Sequence, residues 1–155
     1  MVTRALILAA GKGIAIGDHA GPNCLATVGG LTLIERTLAM LDAAGIRRIA
    51  ITTGWCGDQL RRSIADSQRL SPACKRNIVY FDNPEWDQPN GLSVRAARPF
   101  LTERTLLLMA DQIVAPALLR ELAAVPAPGD RTILCVDRDL ARVFDIEDAT
   151  KVNLS

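Results

Sequence analysis

A parallel, doubly wound α/β sheet is the fold class this sequence predicts, and three observations point to it. Short apolar runs of strand length alternate with segments whose apolar residues recur at helical spacing. Each strand-like run is followed by a turn or a helix start rather than by a second strand at hairpin distance. The apolar residues, 49% of the 155, are mainly Ala, Leu, Ile and Val, while Phe, Trp and Tyr together make up 4%. That is the composition of a sheet buried between helices.

The elements follow in order. Residues 4–9 (RALILA) form a continuous apolar run of strand length that ends in a glycine-rich turn. Residues 31–44 place Leu31, Ile34, Leu38 and Leu41 at helical spacing, and Gly45 supplies the stop. Residues 48–53 (RIAITT) read as a second strand ending at Gly54, and residues 58–66 as a short helix with Leu60 and Ile64 on one face. A third strand is expected at 77–81 (NIVYF). The polar turn DNPEWDQPNG then leads into a helix over 92–100. Residues 105–109 (TLLLM) make the most apolar strand and stop before Asp111. Pro116 opens a helix to 124, since proline suits a first helical position. After Pro126, Pro128 and Gly129, a fifth strand is expected at 132–136 (TILCV), and a polar tail follows. No repeat or linker divides the chain, so residues 1–155 read as a single domain.

Composition excludes several classes. With 18 basic and 17 acidic residues, the net charge of +1 gives no bulk attraction for nucleic acid or an anionic membrane. The scarcity of aromatics argues against a stacking platform for single strands. The first apolar run is too short to span a bilayer, which takes about 20 residues in a helix. It reads as a strand rather than a signal peptide, and a cytoplasmic location is expected. Cys24, Cys56, Cys74 and Cys135 form no C-x-x-C pair and share the chain with one His, so a zinc site is disfavoured and reduced, mostly buried thiols are expected.

In doubly wound sheets, ligands bind beyond the carboxyl ends of the strands, and the first such end is the strongest local signal. LAAGKG, Leu8–Gly13, has side chains small enough for a bulky anion to approach the backbone, and Lys12 adds a cation. The spacing G-x-x-x-x-G-K-[ST] is absent. The dinucleotide fingerprint slips by one residue at Gly11, Gly13 and Gly17, and no acid closes the second strand, which ends Thr52-Thr53-Gly54. A long loop wrapping a nucleoside triphosphate and a plain tight turn both stay open. Local readings compete elsewhere too: Asn90 and Asp111 suit helix caps, Trp55 and Trp86 suit the rim of the core, His19 suits a solvated loop and Asp137 a surface position.

Taken together, LAAGKG, Pro22-Asn23-Cys24-Leu25, GGLTLIERTLAMLDAAGI, AITTGWCGDQL, DNPEWDQPNGLSVRAA, LLLMADQIVAPALL and EDATKV resemble the nucleotidyltransferases that join a nucleoside triphosphate to a phosphorylated sugar or alcohol. The CTP:inositol-1-phosphate cytidylyltransferase branch is the most similar. The resemblance implies a Rossmann-like, mainly parallel sheet of the nucleotide-diphospho-sugar transferase type. It implies attack of an acceptor phosphate on the α-phosphorus of CTP, with pyrophosphate leaving. It places Leu8, Ala9, Ala10, Gly11, Gly13 and Asn23 along the nucleotide, and Lys12 near its β- and γ-phosphates. Thr53 and Gly54 would line the base or ribose pocket, Asn90 and Ser93 would contact the nucleotide or order its loop, and Asp111 would hold Mg²⁺. Lys12 and Asp111 are the implied catalytic groups.

Two positions depart from the family pattern: Ala15 stands where it has Arg, and Asn23 where P-K-x-L has Lys. The family also continues beyond ATKV into strands that complete the acceptor site, so the chain is expected to lack that portion. Weak or absent turnover follows from the two missing cations. The rival reading is a non-catalytic nucleotide-binding or assembly module, pairing as a homodimer through an exposed apolar face.

Overall fold

The computed structural model describes residues 2–13, 21–126, 129, 131–143, 147 and 151–152. The chain divides into two compact units, Met1–Val125 and Pro126–Ser155.

In the larger unit the elements run β1 (Arg4–Ala9), β2 (Thr27–Val28), β3 (Leu31–Thr32), α1 (Leu33–Ala43), β4 (Arg48–Thr53), α2 (Gly57–Asp66), α3 (Pro72–Arg76), β5 (Ile78–Asp82), α4 (Gly91–Ala96), β6 (Thr105–Met109) and α5 (Pro116–Ala124). Four strands form one sheet in the order β5-β4-β1-β6, and every pairing is parallel. The fold is the α/β class that the sequence predicts. From β1 the chain builds outward through β4 to β5, then crosses back to place β6 on the other side of β1. The strand order therefore reverses between β1 and β6.

The central strand is buried on both faces. Ala5, Ile7 and Ala9 of β1 join Ile49 and Ile51 of β4 beneath Ile34, Leu38 and Leu41 of α1, Leu60 and Ile64 of α2, and Leu119 and Ala123 of α5. The opposite face has a smaller cluster of Leu6, Leu8, Ala50, Ala97 and Phe100, covered by α4 and a 3₁₀ turn at Arg98–Phe100. One row across that face reads Val79–Ala50–Leu6–Leu107. Its inner two residues are fully buried, but Val79 is 49% and Leu107 57% exposed, so the helix covers only the centre.

Several boundaries differ from the sequence reading, each for a local reason. The helix expected from residue 31 begins at Leu33. Gly29 and Gly30 take φ of 57° and 79° and close a two-residue hairpin that pairs β2 with β3. Thr32 then caps α1 in a reciprocal box with Glu35: its hydroxyl accepts from the Glu35 amide at 3.2 Å, and the Thr32 amide donates to Glu35 at 2.9 Å. The helix expected over 92–100 stops at Ala96, because Pro99 has no amide to continue it and the chain tightens to 3₁₀. Helix α3 has no counterpart in the sequence reading. It is capped by Ser71, which accepts from Cys74 N at 3.1 Å, with Pro72 in its first turn.

The fifth strand expected at 132–136 is not formed. TILCV has strand composition, but a strand needs a paired edge; this segment joins neither sheet, and Ile133, Leu134 and Val136 are exposed. The smaller unit's only regular element among the described residues is a 3₁₀ turn at Leu140–Arg142. Cys24 and Cys74 are buried as expected of the cysteines, whereas Cys56 and Cys135 are exposed. No helix among the described residues is long and apolar enough to cross a membrane.

Arg4 starts β1 with a 6% exposed side chain and ties the amino ends of the sheet together. It donates to Phe100 O at 2.9 Å and Thr102 Oγ1 at 3.0 Å, pairs with Glu103 at 3.0 Å, and lies 5.2 Å from the Phe100 ring centroid. Glu103 is 61% exposed, so the ion pair matters less than the buried bond to Phe100 and the part-buried one to Thr102. Arg4→Ala is expected to lower unfolding stability by about 2 kcal/mol, the scale of hydrogen bonds from a charged donor plus lost packing. Glu103→Gln should cost less than about 1 kcal/mol. Urea titration of both variants checks the order, which reverses if the ion pair dominates.

Candidate functional site

The reversal of strand order leaves a crevice where β1 and β6 end, because the connections after them depart in different directions. A cleft of about 180 Å³ lies there. Its described walls are Leu8, Ala9, Ala10, Gly11 and Gly13 from the end of β1, Met109, Ala110 and Asp111 from the end of β6, Asn23 and Cys24 from the 3₁₀ turn at Asn23–Leu25, and Asn90 from the start of α4. Two backbone bonds hold the loops to β1: Ala110 N donates to Leu8 O at 3.0 Å, and Trp55 N to Ala10 O at 2.9 Å.

Gly13 has a φ of +68°, and a Cβ there would come within 2.2 Å of Asn23 Nδ2. The loop after β1 can therefore fold against Asn23 only with glycine at this position. Asn23 is 9% exposed, and its Oδ1 is buried without a hydrogen-bond partner among the described residues. An unpaired buried acceptor costs about 1–3 kcal/mol. Cys24 beside it is not a candidate nucleophile. Burial pushes its thiol up to about 12, and the negative charge of Asp111 adds to the shift.

The structure thus brings Leu8, Ala9, Ala10, Gly11, Gly13, Asn23, Asn90 and Asp111 to one cleft. Neither Asn90 nor Asp111 is used as a cap. Asn90 occupies the N-cap position of α4 without a side-chain cap hydrogen bond, and Asp111 lies upstream of α5, whose N-cap is Ala115. Four expected residues stand outside the walls. The Lys12 ammonium is 5.5 Å from the Trp55 ring centroid. Thr53 is fully buried and donates to Asp82 Oδ1 at 2.7 Å. Gly54 is packed so closely that a Cβ would meet Trp86 Cβ at 2.5 Å and Ala10 O at 2.8 Å. The Ser93 hydroxyl accepts from Asn83 Nδ2 at 3.0 Å. Ala15, His19 and the Ala149-Thr150 half of ATKV lie outside the described residues. Asp137, in the smaller unit, is exposed and accepts from the Asp139 amide at 2.9 Å.

Sequence reasoning missed two groups near the ends of β4 and β5. Asn83 opens the loop between β5 and α4 and is 3% exposed, a burial unusual for its type that no motif announces. Arg61 of α2 contacts Asp82, donates to Thr53 Oγ1 at 3.1 Å, and lies 5.1 Å from the Tyr80 ring centroid. A larger open groove of about 540 Å³ runs along α1 between Leu31 and Leu70. Its acid, Glu35, already receives hydrogen bonds from Ser67 and Thr32; burial pushes its carboxyl up, but these bonds outweigh it and hold it below its ordinary value. Among the described residues no three His, Cys, Asp or Glu side chains gather to hold a metal ion.

A glycine loop, a carboxylate and an asparagine meet at the switch point of a parallel sheet, the place where α/β proteins of this class bind their ligands. The chain belongs to the MobA-like NTP transferase domain family, which it matches over residues 5–143. It is 35% identical over 122 residues to the bifunctional IPC transferase and DIPP synthase of Rubrobacter xylanophilus, covering 76% of this chain and 26% of that protein. It is 33% identical over 126 residues to the CMP-5'-(3-aminopropyl)phosphonate synthase of Streptomyces rubellomurinus, covering 79% of this chain and 19% of that protein. The chain thus spans about a quarter or less of the length of these relatives. A solved nucleotidyl transferase from Methanothermobacter superposes with a TM-score of 0.62 at 24% identity, over 77% of this chain and 56% of that one, which shows the shared fold.

Hydrogen bonds from Thr53 and Arg61 hold the Asp82 carboxyl below the ordinary aspartate range. A depressed folded value contributes stability above the unfolded value of about 3.9 and loses it as pH falls through the folded value. Wild type should therefore exceed Asp82→Asn in Tm at pH 6, with a gap worth less than about 1 kcal/mol because Asp82 is exposed. The gap should close as pH falls through the lowered folded value. A gap that persists unchanged at low pH contradicts this.

Proposed function

We propose that the cleft binds a nucleoside triphosphate together with a divalent cation, with CTP and Mg²⁺ the favoured pair. In this reading the chain is the nucleotide-binding part of a nucleotidyltransferase that acts on a phosphorylated alcohol or sugar such as inositol 1-phosphate. The observation that carries it is the convergence of Leu8–Gly11, Gly13, Asn23, Asn90 and Asp111 on one cleft at the switch point. One of the two relatives above supports a cytidine nucleotide, since it carries CMP in its own name. A cleft of about 180 Å³ is smaller than the roughly 300–1,000 Å³ of a complete ligand site, so it would hold one portion of the nucleotide.

The charges explain the need for a cation. Asp111 is the one charged residue among the described walls, and it is negative, so a triphosphate alone would be repelled. Its carboxylate is a hard oxygen donor of the kind Mg²⁺ takes, with phosphate oxygens and water completing the shell. Bound there, the cation would neutralise phosphate charge and polarise the α-phosphorus towards an attacking acceptor phosphate. This chain's own residues would do the remaining work. The small side chains at Ala9–Gly11 let the backbone approach the nucleotide. Asn90 would contact it from the opposite wall, and Lys12 would move from Trp55 to the phosphates.

Differential scanning fluorimetry tests the binding. CTP with Mg²⁺ should raise Tm, CTP with EDTA should not, and Asp111→Asn should abolish the Mg²⁺-dependent part. A shift equal with and without the cation, or a larger one with NAD, overturns the reading. No shift with any nucleotide favours the assembly module, for which the exposed Val79 and Leu107 would be the contact face.

Turnover is expected to be weak, since one preorganised cationic donor commonly contributes about 10²–10³ in rate and two are replaced. Ala15→Arg with Asn23→Lys should tighten CTP binding about tenfold or more, equivalent to about 1.4 kcal/mol, and raise pyrophosphate release with CTP and inositol 1-phosphate. Robust release by the unmodified chain, or no gain from the pair, contradicts the charge argument.

A further inference from the structure

The loop between β5 and α4 carries Asn90 to the cleft, and its two ends are fastened to each other and to the sheet. Asn83 Nδ2 donates to Ser93 Oγ at 3.0 Å across ten residues of chain, in a buried contact. The same Asn83 accepts at Oδ1 from the Glu85 amide at 3.0 Å, and its backbone amide donates to Thr53 O at 2.7 Å. Ser93 is in turn fixed from below, where Thr52 Oγ1 of β4 donates to its carbonyl at 3.0 Å. Asn83, Ser93 and Thr52 are 3%, 4% and 0% exposed.

From these contacts we infer that Asn83 and Ser93 form a clasp that sets the position of Asn90, which makes Asn83 a positioning residue for nucleotide binding. The inference rests on the reading that the cleft binds a nucleotide. The Asn83 side chain bridges both strands of the loop's neck, one amide atom to each, so an alanine there releases both at once. Asn90 lies three residues before Ser93, makes no side-chain cap hydrogen bond, and accepts at its backbone oxygen from the amide of Val94, the residue after Ser93, at 3.2 Å. Its placement at the wall therefore depends on how the neck is closed. With the clasp intact, the nucleotide meets an ordered Asn90; without it, binding must order the loop, and affinity falls.

A double-mutant cycle read by calorimetry with CTP and Mg²⁺ on the full chain tests this. Asn83→Ala and Asn90→Ala should each weaken CTP binding about tenfold, and the double variant should bind no more weakly than Asn90→Ala alone. The Tm loss from Asn83→Ala should be the same with or without Asn90, which separates positioning from general loosening. If Asn83→Ala does not fold, Ser93→Ala takes its place in the cycle, since it removes the acceptor and leaves the Glu85 contact. Wild-type affinity in the Asn83→Ala or Ser93→Ala variant, or affinity losses that simply add with Asn90→Ala, overturns the clasp while leaving nucleotide binding intact. Failure of the wild-type chain to bind CTP with Mg²⁺ overturns the nucleotide reading and the clasp with it.

Discussion

The pairing of β1 along both of its edges is the constraint on which the larger unit depends. A strand hydrogen-bonded to β4 on one side and β6 on the other must be apolar on both faces, and RALILA is buried throughout. The same double pairing reverses the strand order at β1. The loop after β1 cannot follow the connections on either side, so a crevice opens at its end. The Ala110 N to Leu8 O bond then brings the residue before Asp111 onto the residue before Ala9. The cleft is a consequence of topology before any of its side chains is considered.

The side chains give that crevice an unusual polarity. Its walls hold one negative charge, a buried amide oxygen without a partner among the described residues, and small apolar residues. Lys12, the cation of the glycine loop, rests against Trp55. A site of this kind favours a cation ahead of an anion. Where the family pattern has lysine, Asn23 packs its amide against Gly13, trading a mobile charge for a fixed neutral wall.

Much of this was legible in the sequence. The strands RALILA, RIAITT and TLLLM carry continuous apolar runs that only a buried parallel sheet explains, and the glycine loop, Asn90 and Asp111 follow strand ends where ligands bind. The hairpin was written in Val28-Gly29-Gly30-Leu31, but two-residue strands are too short for periodicity to register. TILCV shows the opposite failure: its composition is that of a strand, but pairing is a tertiary property that composition does not carry. Thr53 and Ser93 follow the motif in sequence, but strand alternation points Thr53 towards Arg61 and Asp82, and a buried asparagine takes up the serine hydroxyl. Asn83 was invisible because a lone asparagine in a turn has many uses, and only its burial separates this one.

The most direct test of the account is where a nucleotide perturbs the chain. Amide resonances followed by ¹H–¹⁵N NMR during titration with CTP and Mg²⁺ should shift first and most at Ala10–Gly13, Asn23, Asn90 and Asp111. Replacing Mg²⁺ by Mn²⁺ should broaden Asp111 and Asn23 ahead of the rest. Shifts concentrated along the groove of Leu31, Glu35 and Leu70, or Mn²⁺ broadening that leaves Asp111 untouched, would contradict the account.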